Sequence, residues 1–188
     1  MDAWRSPGGV HLGLERVGMR LWWRGRSGLT LDSLRNQVRI MCKFEDVPVF
    51  ILIHLGGNDI GRIGLKDLRK KYKDEIDWVQ KKLPNSIIIF SQILPRISWR
   101  YAKNVGSMEK CRLRFNNAVA SYVLRNGGCY VRYPDIKAKS ALLEDGMHLN
   151  SLGSSLFINT ITGALETFAL AQKSSKGCKG LTYPDQCV

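Results

Sequence analysis

Asp145 and His148 are the residues in this sequence best suited to moving a proton. They stand three positions apart in DGMHLN, residues 145–150. An imidazole held by a carboxylate on one nitrogen can take a proton from a hydroxyl on the other. Such a pair ordinarily serves a nucleophile. A second polar cluster, LGGNDIG at 55–61, closes a long apolar run. Its glycines, Gly56 and Gly57, let the backbone turn tightly beside a ligand, Asn58 offers an amide donor and Asp59 a carboxylate. A third cluster, RGRSGLT at 24–30, contains Gly28 and Ser27.

These clusters need elements to position them. The run VPVFILIHL (47–55) is apolar and β-branched throughout, as in a strand buried on both faces. SIIIFSQIL (86–94) and CYVRY (129–133) read as two more strands, and VGMRLWW (17–23) as another ahead of them. Between them, 31–42, 64–84, 108–128 and 151–170 carry helical patterns. In 64–84 the apolar residues Leu65, Leu68, Tyr72, Ile76, Val79 and Leu83 fall at steps of three and four, and Pro84 stops the helix. Strand and helix alternate, which predicts a parallel sheet covered by helices on both faces, with 48–54 central and 87–91 beside it. Ligands in such folds collect at the carboxyl ends of the strands, where the three polar clusters fall.

The chain has 188 residues, 44% of them hydrophobic, which suits one domain with a sizeable core. Its formal charge is +13, which favours polyanions such as nucleic acid or acidic headgroups. Lys-rich 66–82 also carries Asp67, Asp74, Glu75 and Asp77, and reads as a solvated face. Arg16, Arg20, Arg24 and Arg26 are more one-sided. Trp22 and Trp23 among them read as core residues, with base stacking the alternative. His54 reads as a packed strand residue and His11 as exposed. The five cysteines form no C-x-x-C pair and are read as reduced thiols of an intracellular protein, cytoplasmic or nuclear. The N-terminus lacks the apolar stretch of a signal peptide, and no apolar run approaches the ~20 residues of a membrane span. The expected organisation is an irregular segment over 1–16, one domain over 17–171, and a disordered basic tail over 172–188.

LGGNDIG and DGMHLNSLG, with RGRSGLTLDSLRNQV before them and SIIIFSQILPR between them, resemble the ordered blocks of the SGNH (GDSL-type) hydrolases. That esterase group includes the platelet-activating-factor acetylhydrolase catalytic subunits. Similar domains also occur in retroelement-derived reading frames. The resemblance covers roughly 17–170. It implies a three-layer α/β/α, flavodoxin-like fold that acts on small acyl esters without metal or cofactor. It also implies His148 as base, Asp145 as its orienting carboxylate, and Gly28 N–H and the Asn58 amide as oxyanion donors. Gly56 and Gly57 would support that loop, and Asp59 would cap the following turn. Some relatives work as dimers, so a homodimer is an expectation too.

The family's first block, Gly-x-Ser at the end of the first strand, has no counterpart here. Ser6 lies in a turn sequence, Ser27 in the second block and Ser33 in a helix pattern. The nucleophile is unassigned, and the first strand and helix are expected to be missing. Two readings follow: a truncated hydrolase, inactive in this form, or a pseudoenzyme kept as a basic binding module, for nucleic acid among other polyanions.

Overall fold

The computed structural model describes residues 9–101, 104–138, 140–174 and 177–185. Four helices and four strands follow in the order α1 (Leu34–Phe44), β1 (Phe50–Ile53), α2 (Leu65–Lys82), β2 (Ile87–Ser91), α3 (Val105–Arg125), β3 (Cys129–Val131), α4 (Ser151–Lys173) and β4 (Thr182–Tyr183). All neighbouring strands pair parallel, in the order β1-β2-β3-β4.

The alternation within β2 explains the layering. Side chains on successive strand residues point to opposite faces. Ile88 and Phe90 enter one core with Leu68, Tyr72, Val79, Phe115 and Val119 of α2 and α3. Ile87 and Ile89 enter the other with Phe157, Ile161, Leu165 and Phe168 of α4. The parallel sheet thus lies between helices on both faces, as the alternation of elements predicts.

Three expectations need correction. Residues 17–23 are not a strand. Leu14–Val17 form a 3₁₀ turn and 19–26 have no regular structure. The period of two is real, because Met19, Leu21 and Trp23 pack inward while Arg20, Trp22 and Arg24 are exposed. What fails is the pairing: Met19 N–H goes to Leu14 O and Leu21 N–H to His11 Nδ1. A strand needs a neighbour's ladder, and side-chain pattern does not supply one. His11 is accordingly half-buried rather than exposed.

Second, β1 is not central. It is the edge of the described sheet, with Phe50, Ile51 and Leu52 only half-buried, while β2 and β3 lie inside and are buried throughout. Third, the tail is ordered over 177–185. Thr182 and Tyr183 pair with Tyr130 and Val131, and the fully buried Cys178 accepts the Cys129 thiol at its carbonyl. The polar composition of 172–180 hides the short apolar stretch that follows it. From residue 9 onward the N-terminal segment has only short 3₁₀ turns, and its Leu12 and Leu14 are core residues beside α4. Residues 1–8, with Ser6, lie outside the described residues.

Candidate active site

Two loops at the carboxyl rim of the sheet carry the polar residues. The first leaves β1 through Gly56, whose φ of 110° suits glycine, and whose added Cβ would meet the Phe115 ring at 3.2 Å. Asn58 then donates to Leu29 O at 2.9 Å, and the buried Asp59 carboxylate accepts Leu31 N–H at 2.9 Å and Arg62 at 2.5 Å. These bonds tie the loop after β1 to the turn that contains Gly28. Asp59 therefore caps the approach to α1, a distant element, rather than the turn after it. Gly28 is exposed, has φ 75° and has no neighbour within 4 Å of an added Cβ. Gly28 and Asn58 are thus brought to one place, and one of the two Asn58 amide hydrogens is taken by Leu29 O.

The second loop is closed by an antiparallel bridge between Leu143 and Leu149. Asp145 accepts His148 N–H at 2.7 Å and Met147 N–H at 2.9 Å, and its other oxygen meets His148 Nδ1 at 2.6 Å. The His148 N–H is the foremost cause that holds the Asp145 carboxyl well below the usual carboxylate range, followed by the ring and the Met147 N–H. Both side chains are open to solvent, at 69% for His148 and 47% for Asp145. Asn150 accepts Gly153 N–H and caps α4.

The segment after β2 links the two loops. Ile97 N–H and Ser98 N–H both donate to Gly146 O. Arg96 reaches the other way, where an added Gly57 Cβ would meet its guanidinium at 2.8 Å. Desolvation lowers the Arg96 pKa, and the Asp145 charge opposes that effect. Sequence reasoning missed Arg96. Its one signal is a cation placed directly after the Leu94–Pro95 turn, where Pro95 is buried.

A third polar group lies under the rim. His54 Nδ1 meets Ser91 Oγ at 2.9 Å, and Ser91 Oγ meets Tyr133 OH at 2.5 Å. The His54 ring packs edge-on against Phe157 and Tyr133, yet its other flank is solvent-exposed. Desolvation, aided by the Arg96 charge, pushes the imidazole below its ordinary value, to about 4. Ser91 is fully buried, so its hydroxyl holds the strand ends together rather than meeting a ligand.

No serine hydroxyl bonds to His148 among the described residues. Ser27 is exposed beside Gly28, Ser33 donates to Thr30 O, and Ser98 packs against Gly146. Nor do the described residues hold a group of three or more metal-ligating side chains.

No family model and no curated protein sequence matches the chain. Solved structures do. A GDSL-like lipase from Bacteroides thetaiotaomicron superposes with a TM-score of 0.62 at 19% identity, over 77% of this chain and 74% of that one. A family 3 carbohydrate esterase from Clostridium thermocellum gives 0.63 at 17%, over 80% and 72%. A psychrotrophic esterase from Pseudoalteromonas gives 0.55 at 20%, over 75% and 73%. The chain therefore has the SGNH hydrolase-like fold, a parallel sheet flanked by helices.

Proposed function

We propose that this chain is an SGNH-type ester hydrolase that carries the base and oxyanion half of a serine acyl-transfer site. The observation that carries the reading is the 2.6 Å contact between Asp145 and His148 Nδ1 on a loop that residues 96–98 connect to the Asn58 loop. With Nδ1–H held by Asp145, the His148 Nε2 lone pair is the free one. It would take the proton as a serine Oγ attacks the ester carbonyl, and return it to the leaving alcohol. The free amide hydrogen of Asn58 and the exposed Gly28 N–H would meet the oxyanion, each worth about 3 kcal/mol in the transition state. Water would then release the acid from the acyl-serine by the same route. Small acyl esters are the substrate class.

The nucleophile would come from a further strand. Among the described residues nothing pairs with the outer side of β1. A strand added there in parallel would end on the same rim, beside the loop that follows β1. Without it, the 188-residue chain should hydrolyse p-nitrophenyl acetate no faster than its His148→Ala variant. A form extended by a strand that ends in Gly-x-Ser should gain turnover, and lose it again with His148→Ala. Robust His148-dependent turnover by the unextended chain would point to an overlooked nucleophile, with Ser27, Ser98 and Ser6 first to replace. An extended form without activity would favour the non-catalytic reading.

A further inference from the structure

Among the described arginines, Arg35, Arg69, Arg96, Arg112 and Arg132 are half-buried or more. All but one find an acceptor. Arg35 holds Glu75, Arg112 holds Glu109 and Ile93 O, Arg69 donates to Arg114 O and Arg132 to Pro184 O. Arg96 makes no hydrogen bond and no ion pair with any described residue. Its guanidinium lies over the buried Trp99 ring, 5.2 Å from the ring centroid. A ring face attracts the charge but accepts none of the N–H groups at the edge of the plane. A cation drawn out of bulk water without an acceptor is costly, so this one needs a further partner.

Arg96 belongs to the candidate site by position. The guanidinium reaches Gly57, next to Asn58, where an added Cβ would stand 2.8 Å from Nη2. Glycine at 57 thus leaves the space that the guanidinium fills. The residues that follow Arg96, Ile97 and Ser98, donate to Gly146 O beside Asp145. The charges that bear on Arg96 are the attractive one of Asp145 and the repulsive one of Arg100. Asp145 is already held by two backbone N–H groups, and its ion pair is with His148. Two cations set against one carboxylate leave a place for a single further negative charge.

Given the ester-hydrolase reading, on which this rests, we infer that Arg96 binds a carboxylate of the substrate. The substrate class is then an acyl ester with one carboxylate a few atoms from the scissile carbonyl, such as a monoester of a short dicarboxylic acid. The planar fork of N–H groups matches the two oxygens of a carboxylate. Water can serve these donors, and a carboxylate that displaces it serves them with charge-assisted bonds. A phosphate monoester is the poorer match, because it brings about two negative charges at neutral pH to a place suited to one.

The test is a titration of the isotope-labelled full chain, followed by NMR at the Gly57, Asn58 and Gly146 amides. Monomethyl succinate should bind about tenfold more tightly than methyl succinamate, its neutral isostere. Arg96→Gln should bring the two to equal affinity. Arg96→Lys, which keeps the charge but not the fork, should keep part of the preference. Gly57→Ala should weaken binding of the charged ester, because it displaces the guanidinium and leaves its charge in place. Thermal melts should show all variants folded. Equal binding of the two esters by the unaltered chain, or a preference that survives Arg96→Gln, would overturn the assignment of Arg96. So would the absence of shifts at these amides with either ester well into the millimolar range. Tighter binding of methyl 3-phosphonopropionate would overturn the carboxylate. None of these results decides ester hydrolysis itself. That reading stands or falls on His148-dependent turnover of p-nitrophenyl acetate by the extended form, a neutral substrate that offers Arg96 no anion.

Discussion

Asp145 accepts two backbone N–H groups and an imidazole, and all three favour its charged form. Its stabilising effect is complete above the unfolded carboxyl value of 3.8 and fades only as pH falls through the lower folded value. A loss of activity near neutral pH would therefore not come from Asp145. His54 behaves differently. Its proton is disfavoured in the folded state, while the unfolded chain takes it up near 6.5. The unfolded state then binds more protons between 6.5 and about 4, so stability is full above 6.5 and declines across that window. Water on the open flank of the ring screens the effect, to about 1 kcal/mol. Urea melts at pH 7 and pH 4.5 should show that decline, and His54→Gln should reduce it. An unchanged pH dependence in the variant would place the titration elsewhere. The Asp145–His148 contact could be anticipated in the sequence because both residues stand in one short local motif. The His54–Ser91–Tyr133 chain could not, since its members come from the ends of three strands and meet only after the sheet forms.

At the scale of elements, helices were the legible part. The spacing over 64–84 anticipates α2 at Leu65–Lys82, and 151–170 anticipates α4 at Ser151–Lys173. Their periodicity is intrinsic to one segment. Strand pairing is not, so 17–23 has the alternation of a strand and none of its ladder, and β1 stands at an edge despite a run as apolar as that of β2. Asp59 joins elements that the sequence shows as unrelated. It is fully buried and caps the start of the turn into α1 from the loop after β1. Asp59→Ala would leave Leu31 N–H without its acceptor and Arg62 without its nearer carboxylate, at about 3 kcal/mol. Chemical denaturation should show that loss, and hydrogen exchange at Leu31 should accelerate more than at Ile89 in β2. Equal acceleration at both amides would mean that Asp59 supports the whole fold rather than this junction.

For the whole molecule, the charge of +13 and the β1 edge, which no described strand covers, pull in opposite directions. An unpaired β1 edge exposes backbone N–H and C=O groups beside apolar side chains, with Val47 at 64% and Val49 at 58% exposure just ahead of it. Such an edge is a template on which other copies can grow by hydrogen bonding, the first step toward cross-β aggregates. Here like charge keeps copies apart, and dissolved ions weaken that repulsion over a Debye length of about 10 Å at 0.1 M. Added salt should therefore hasten growth at the edge, seen as rising light scattering and thioflavin fluorescence. Val47→Lys with Val49→Lys should suppress that rise. Scattering that rises equally in the double variant would mean that growth begins on some other surface. The practical consequence concerns handling: a high-salt buffer is the one most apt to turn this chain into fibres.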